Sequence, residues 1–281
     1  MKPLLGRVAV VAGASRGIGM GVAIELGAAG AFVYALGRTL KAGTGGAPDT
    51  LAAGSLEETV AAIAELGGEG QAVACDCGDP DALARHFADV EARHGRLDVL
   101  VNSVFASHAF GRFIGKRLWE LPPKEVWHDV VDVPGRAAYF ATALAAPLMI
   151  ASATASDGGL IVNISGRGAL RYRYNSAYGV GKSAIARLTR DAAIELKPHN
   201  VAVIDVWPNG HAPDRAHAET PRYNGRAVAA LAADPERMAR SGNHFWTAEL
   251  ALDYGFTDEL GHSHPIGSLT DSYSLEHDEA S

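Results

Sequence analysis

Residues 7–37 read R-V-A-V-V-A-G-A-S-R-G-I-G-M-G-V-A-I-E-L-G-A-A-G-A-F-V-Y-A-L-G, and the order of residue types in this stretch decides the fold. Arg7 to Ala12 is short, β-branched and almost wholly apolar, as expected of a strand buried on both faces of a parallel sheet. A glycine turn follows, then a helical pattern from Ile18 to Ala29 that stops at Gly30, then a second strand from Ala31 to Leu36. This is a βαβ unit of about 30 residues. Gly13, Gly17 and Gly19 fall at G-x-x-x-G-x-G spacing between the first strand and the helix. Gly13 permits the tight turn. Gly17 and Gly19 let backbone amides and the helix start come close to a pyrophosphate, where the helix dipole favours negative charge. The loop of Gly13, Ser15, Arg16, Gly17, Ile18 and Gly19 is therefore the candidate cradle for a dinucleotide.

The same alternation continues outward. Ser55 with Glu58 forms a capping box ahead of a helix at Leu56–Leu66. A strand at Gln71–Cys75 precedes a helix at Pro80–His94 that ends at Gly95, and Leu97–Asn102 is the next strand. Lys124–Met149 is largely helical, Leu160–Ile164 is a strand, Ala177–Leu196 is a long helix stopped by Pro198, and Val201–Val206 is a strand. Strands alternating with helices predict an α/β fold: a Rossmann-type, doubly wound parallel sheet in a three-layer α/β/α sandwich, as a single domain over residues 1–281. Three segments stand outside the rhythm: a glycine-rich inserted loop at 38–54, a polar stretch with two prolines at 211–223 that suits a substrate lid, and a polar tail at 262–281.

Of the 281 residues, 48% are hydrophobic and 20% charged, and the net charge is −7. The balance fits a globular chain with a full core. The absence of a basic excess argues against a nucleic-acid partner. The longest apolar run, around Ala137–Ala155, is broken by Pro147, so no membrane span is expected. Met1–Leu5 runs into Gly6 and Arg7 without the features of a secretory leader, and the expected location is the cytoplasm. Cys75 and Cys77 cannot build a disulfide framework and read as small core residues.

The end of the second strand bears on which dinucleotide binds. A carboxylate there would hold the ribose diol of NAD, but the chain has Leu36-Gly37-Arg38, with Arg16 in the glycine loop. Two guanidiniums near that ribose suit the extra phosphate of NADP(H), the favoured cofactor; each is otherwise an ordinary surface arginine. Asp76 is a candidate acceptor for the adenine amine, or a cap for its own turn.

Tyr178 and Lys182 stand four residues apart in Y-G-V-G-K, which puts them on one face of a helix. A free tyrosine has a pKa of about 10, and a neighbouring ammonium favours the phenolate. With G-A-S-R-G-I-G at 13–19, D-V-L-V-N at 98–102, I-V-N-I-S at 161–165 and Tyr178 with Lys182, the chain resembles the short-chain dehydrogenase/reductase family from Gly6 to about Tyr254. It is most similar to a subgroup with W-E-x-P, Y-G-V-G-K and Y-G-F-T-D segments, here at 119–122, 178–182 and 254–258. The resemblance implies NAD(P)(H) and hydride transfer between nicotinamide and a carbonyl or alcohol carbon. It implies Tyr178 as acid/base, Lys182 as holder of the nicotinamide ribose, and a serine that positions the substrate oxygen. It also implies cofactor contacts at Asn102, Tyr178, Lys182 and Pro208, and a homodimer or homotetramer paired through helices 124–149 and 177–196, where Ala137, Ala141, Ala145, Ala184 and Ala186 would permit close approach.

The chain departs from the family pattern at several points. Asp132 stands where the family has an asparagine, and an anion there would partly neutralise the pull of Lys182 on Tyr178. N-N-A-G becomes Asn102-Ser103-Val104-Phe105, and P-G becomes Pro208-Asn209. The serine has two registers: Ser165 lies 13 residues before Tyr178, the usual offset, while alignment on the strand places Gly166 in the site. Arg171, Tyr172, Arg173 and Tyr174 either contact an anionic or aromatic substrate or form a packed loop. His108, Phe110, Trp119 and His211 are candidate pocket-lining residues; His262 and His264 are expected to be solvated. The leading expectation is an NADP(H)-dependent oxidoreductase interconverting a small-molecule ketone and secondary alcohol. Non-redox chemistry in an altered site, and a cofactor-sensing binding protein, are the alternatives.

Overall fold

A computed structural model describes residues 2–42, 54–154, 157–209 and 218–267. Seven strands form one parallel sheet: β1 (Val8–Ala12), β2 (Phe32–Gly37), β3 (Glu69–Ala74), β4 (Val99–Asn102), β5 (Gly159–Ile164), β6 (Val201–Trp207) and β7 (His244–Trp246). Their order is β3-β2-β1-β4-β5-β6-β7, so the winding reverses between β1 and β4. In an open parallel sheet the crevice beyond the carboxyl ends at such a reversal is where ligands bind. Val10 pairs with Tyr34 on one side and with Leu100 on the other, which makes β1 central and explains its unbroken burial.

Strand alternation divides the core into two layers. Ala9, Val11, Val33, Val101, Val162 and Ile204 face α1 (Gly17–Ala28), α2 (Leu56–Glu65), α8 (Pro221–Ala233) and α9 (Thr247–Tyr254). Val10, Leu36, Leu100, Ile161 and Val203 face α3 (Pro80–His94), α6 (Val133–Ser152) and α7 (Ser176–Leu196). Two short helices, α4 (Ser107–Phe110) and α5 (Pro123–Val126), lie between β4 and α6. The helix starts follow their caps. Ser55 accepts from the Glu58 amide, Asp79 from the Asp81 amide ahead of Pro80, and Asn175 from the Tyr178 amide at 2.9 Å.

The Rossmann-type architecture is as expected, with four corrections. The C-terminal elements α8, β7 and α9 were not anticipated. The segment expected to be a lid over 211–223 overlaps α8, whose Thr220 caps the Tyr223 amide and whose Tyr223 is wholly buried; residues 210–217 lie outside the described residues. The helix expected at 124–149 runs from Pro123 to Ser152 and contains a π-helical turn over Trp127–Asp132. By length and composition alone it could span a bilayer, but Ala137, Ala141 and Ala145 bury it against the sheet. Those three alanines are therefore closed to any second subunit; Arg136, Tyr139 and Ala143 form the outward face. The expected tail begins ordered: His264 Nε2 lies 3.1 Å from Asp258 Oδ2, and its ring packs 4.5 Å from Tyr223, so it is not solvated. Of the inserted loop, 43–53 lie outside the described residues, as do 268–281.

Candidate active site

The cofactor crevice begins where β1 ends. The Gly13 and Ala14 amides both donate to Leu36 O at 2.9 Å, pinning the loop to β2. Gly13 has φ +87, and a Cβ there would stand 2.5 Å from Ser103 O, so only glycine fits against the end of β4. Gly19 is required for a different reason than expected. Its Cβ would meet Gly13 O at 2.1 Å, so it serves helix–strand packing rather than ligand approach. Around Gly17, by contrast, nothing lies within 4 Å of a Cβ position, and α1 starts there with no side-chain cap on its amides. Amides without a side-chain cap, an open space and the positive end of a helix dipole fit a pyrophosphate. Ser15 packs beside Gly37, and Arg16 Nη2 donates to Thr39 Oγ1 at 3.2 Å, so the glycine loop and the end of β2 form one rim, with Arg38 exposed on it. Ile18 turns inward to the core. Asp76 is exposed, and its Oδ1 accepts from the Gly78 amide at 2.9 Å, the capping role.

Tyr178 and Lys182 lie on the first turns of α7, fixed by the Asn175 cap, whose amide in turn donates to Phe113 O at 3.0 Å. Gly181 lets this helix press against the π-helical turn: a Cβ there would meet Val130 O at 2.2 Å. Phe110 lies 5.1 Å from the Tyr178 ring, Tyr174 5.1 Å edge-on and Phe105 6.3 Å edge-on, forming an aromatic wall at the phenol. Lys182 is buried with its Nζ 5.0 Å from the Phe105 ring centre and 5.6 Å from that of Tyr178.

The electrostatics differ from the expectation that Lys182 lowers the tyrosine. Burial of the Tyr178 phenol raises its pKa, with the Tyr174 charge adding to this, and the cations opposing the rise are Arg173 and Arg167. Lys182 is pushed down to about 8 by burial, with Asp205 pulling it back up. Asp205 is pushed up to about 7 by burial, against hydrogen bonds from Ser165 and Trp207 and the charge of Lys182. Asp132 does not reach this group: it pairs with Arg136 one helical turn on, at the half-exposed edge of α6. The carboxylate whose charge acts on Lys182 is Asp205, and sequence reasoning missed it. Its signal was present, as the one charged residue in the otherwise apolar V-A-V-I-D-V-W of β6.

Ser165 and Gly166 diverge at the end of β5. Ser165 is buried, and its Oγ donates to Asp205 Oδ2 at 2.6 Å. A Cβ on Gly166 would stand 3.5 Å from Tyr178 Oη, so Gly166 is the residue that borders the phenol hydroxyl. Beneath them, Asn102 donates to Thr142 Oγ1 at 3.1 Å and to Asn163 Oδ1 at 2.8 Å, and Asn163 donates to Thr189 Oγ1 at 2.8 Å. The Asn102 amide thus ties β4 and β5 to the helices below the crevice. Pro208 closes β6 at the same rim, and the Asn209 amide donates to the buried Glu219 at 3.0 Å. Of the expected pocket residues, Phe110 lies at Tyr178, while Trp119 is 80% exposed and lines nothing. His211 and the His108 side chain lie outside the described residues.

A model of the short chain dehydrogenase family matches residues 7–224. The chain is 36% identical to dehydrogenase/reductase SDR family member 1 of Mus musculus over 281 residues, covering 91% of this chain and 84% of the relative. It is 34% identical to a metagenomic short-chain oxidoreductase solved in complex with NADP, with a TM-score of 0.66 over 83% of this chain and 93% of that one. Carveol dehydrogenase of Mycobacterium avium, solved in complex with NAD, shares the fold at 22% identity, with a TM-score of 0.71 over 88% of this chain and 97% of that one. The chain belongs to the short-chain dehydrogenase/reductase family. It is an oxidoreductase of a fold that binds a nicotinamide cofactor.

Proposed function

We propose that this protein interconverts a ketone and a secondary alcohol with NADP(H) as cofactor. The observation that carries the reading is the placing of Tyr178 and Lys182 on one turn of α7 at the crevice that begins at the uncapped start of α1. Arg16 and Arg38 on the rim beside the second strand support NADP(H) over NAD(H), as does the NADP complex of the 34% identical relative. The cofactor supplies or accepts the hydride when bound. The chain's residues do the rest. The amides at the start of α1 and Arg16 would hold the cofactor's phosphates, Lys182 would hold its nicotinamide ribose, and the phenol Oη of Tyr178 gives or takes the proton of the substrate oxygen. Phe105, Phe110 and Tyr174 exclude water from that proton and suit an apolar, ring-bearing substrate. The 3beta-hydroxysteroid dehydrogenase of Mediterraneibacter gnavus, 30% identical over 73% of this chain, is in keeping with such a substrate. The test is NADPH oxidation against a panel of cyclic and linear ketones, with wild type active and Tyr178→Phe inactive.

Gly166 favours a second reading. With a glycine beside Tyr178 Oη and the Ser165 hydroxyl donated to Asp205, neither residue at the end of β5 offers a hydroxyl to a substrate oxygen there, and the pocket would then serve a proton transfer without redox turnover. Failure of wild type to oxidise NADPH with any carbonyl, while cofactor binds, is the outcome that selects it.

A further inference from the structure

We propose that Asp205 is a positioning residue, the internal counter-ion that keeps Lys182 an ammonium beside Tyr178. The proposal rests on the reading of Tyr178 and Lys182 as reaction machinery. Val201 and Val203 of β6 face the α7 layer, so alternation turns Asp205 and Trp207 to the same side. Lys182 reaches that side from α7: its Nζ donates to Ile164 O of β5 at 3.5 Å, and the next residue, Ser165, is the one that donates to Asp205. Asp205 is 1% exposed. Its Oδ2 accepts from Ser165 Oγ at 2.6 Å and from Trp207 Nε1 at 2.8 Å, while Oδ1, also buried, has no hydrogen-bond partner among the described residues. With both side-chain donors on one oxygen, the Ser165 amide adding to them, and no partner on the other oxygen among the described residues, the carboxylate is fixed in direction but short of compensation. A buried carboxylate in that condition needs a cation or takes a proton.

The charged and titratable neighbours narrow the choice. From β5, Asn163 and Ser165 bring no charge. From β7, His244 stacks on Trp207 at 3.9 Å; burial lowers its pKa, with the charge of Glu249 of α9 opposing this and that of Arg190 of α7 adding to it. From α7 come Tyr178 and Lys182. Arg167 and Arg173 act on the phenol. Among the described residues, Lys182 is the cation acting on Asp205, and Asp205 the anion acting on Lys182. Burial drives both toward their neutral forms, and their mutual attraction opposes it. Without the carboxylate, burial of Lys182 goes unopposed and the ammonium is lost at a lower pH.

Two measurements on the full-length protein test this. The first is thermal unfolding of wild type, Asp205→Asn, Lys182→Met and the double variant between pH 6 and 9, which needs no substrate. Each single change leaves one buried charge alone, so both should lower Tm, and the double variant should lose less than the sum of the two. Additive losses would overturn the pairing. The second is rate against pH for wild type and Asp205→Asn with NADPH and an accepted ketone. The alkaline limb should move to lower pH by about one unit or more, with kcat falling and KM little changed. A uniform loss at every pH would mean a merely structural residue and would overturn the positioning role. If wild type reduces no carbonyl, the reductase reading fails by itself, while the unfolding cycle still decides the pair. Should Asp205→Asn not fold, infrared spectroscopy of Lys182→Met at pH 8 serves instead: the carbonyl band of a protonated buried carboxyl should appear there and be absent in wild type, and equal spectra would overturn the proposal.

Discussion

Gly166 borders the hydroxyl of Tyr178: a Cβ built on the glycine would lie 3.5 Å from the phenol oxygen. The residue before it, Ser165, points its hydroxyl into the sheet, at Asp205. Adding a hydroxyl at 166 therefore restores a donor at the reacting oxygen. Gly166→Ser should raise kcat/KM toward ketones by about 10-fold or more, the scale of a transition-state hydrogen bond. It should also lower stability by about 1–3 kcal/mol, because φ at this position is +151. Steady-state kinetics and thermal unfolding read both effects. Unchanged turnover would place the substrate oxygen elsewhere.

Ser165→Ala is expected to act on stability more than on rate. It removes a donor from a buried carboxylate, at a cost of about 1–3 kcal/mol. A loss of turnover as deep as that of Tyr178→Phe would instead show that Ser165 leaves Asp205 and meets the substrate.

Tyr178→Phe should bind NADPH as tightly as wild type, because the phosphate cradle lies at the start of α1, and lose about 10²-fold or more in turnover. Asp132→Asn is the contrasting control. Since Asp132 pairs with Arg136 at a half-exposed edge, its pH–rate profile should coincide with that of wild type. A shifted profile would mean that its charge reaches Lys182 after all.

Discrimination between cofactors should depend on the rim of β2. NADPH should bind more tightly than NADH, with Arg16 and Arg38 each contributing about 1.5–3 kcal/mol to the extra phosphate. Fluorescence titration measures this, and NADPH affinity unaltered by Arg38→Ala removes Arg38 from the site.

Assembly through α6 and α7 would have to use their outer faces, since Ala137, Ala141 and Ala145 are buried. Tyr139 is 57% and Ile194 73% exposed, which makes them the candidates for contact. Light scattering should give a dimer or tetramer, and Tyr139→Glu with Ile194→Glu should shift it toward about 29 kDa. A wild-type monomer at micromolar concentration would contradict pairing.

Glu219 makes stability pH-dependent on the neutral side. Burial pushes its carboxyl up to about 7 from 4.5, against the Asn209 amide and contacts with Thr247 and Asn224. A carboxyl raised on folding binds more protons folded than unfolded, so stability should fall as pH rises from about 4.5 through 7. The contribution is of order 3 kcal/mol. Unfolding from pH 4.5 to 8 should show a decline that Glu219→Gln makes shallower, and equal slopes would deny the group this role.

The βαβ start, the parallel sheet covered by helices on both faces and the helical offset of Tyr178 and Lys182 were legible because each is a local matter. Apolar period, glycine spacing and helical offset are written into consecutive residues, and a strand such as R-V-A-V-V-A has no other way to bury itself. The C-terminal strand β7 was not legible. It has three residues, His244–Trp246, and owes its existence to pairing with β6 rather than to any pattern of its own. Which residues surround Tyr178 was likewise a matter of three-dimensional packing. Ser165 and Gly166 adjoin in the chain, yet the exit of β5 turns one toward Asp205 and leaves the other at the phenol. Of the two acidic residues Asp132 and Asp205, only Asp132 was expected near Lys182 from the sequence. Only the π-helical turn, which aims Asp132 at Arg136, and the alternation of β6, which aims Asp205 at the α7 layer, decide between them. Partners distant in sequence are chosen by the path of the backbone between elements, and that path is set by burial of the whole sheet at once.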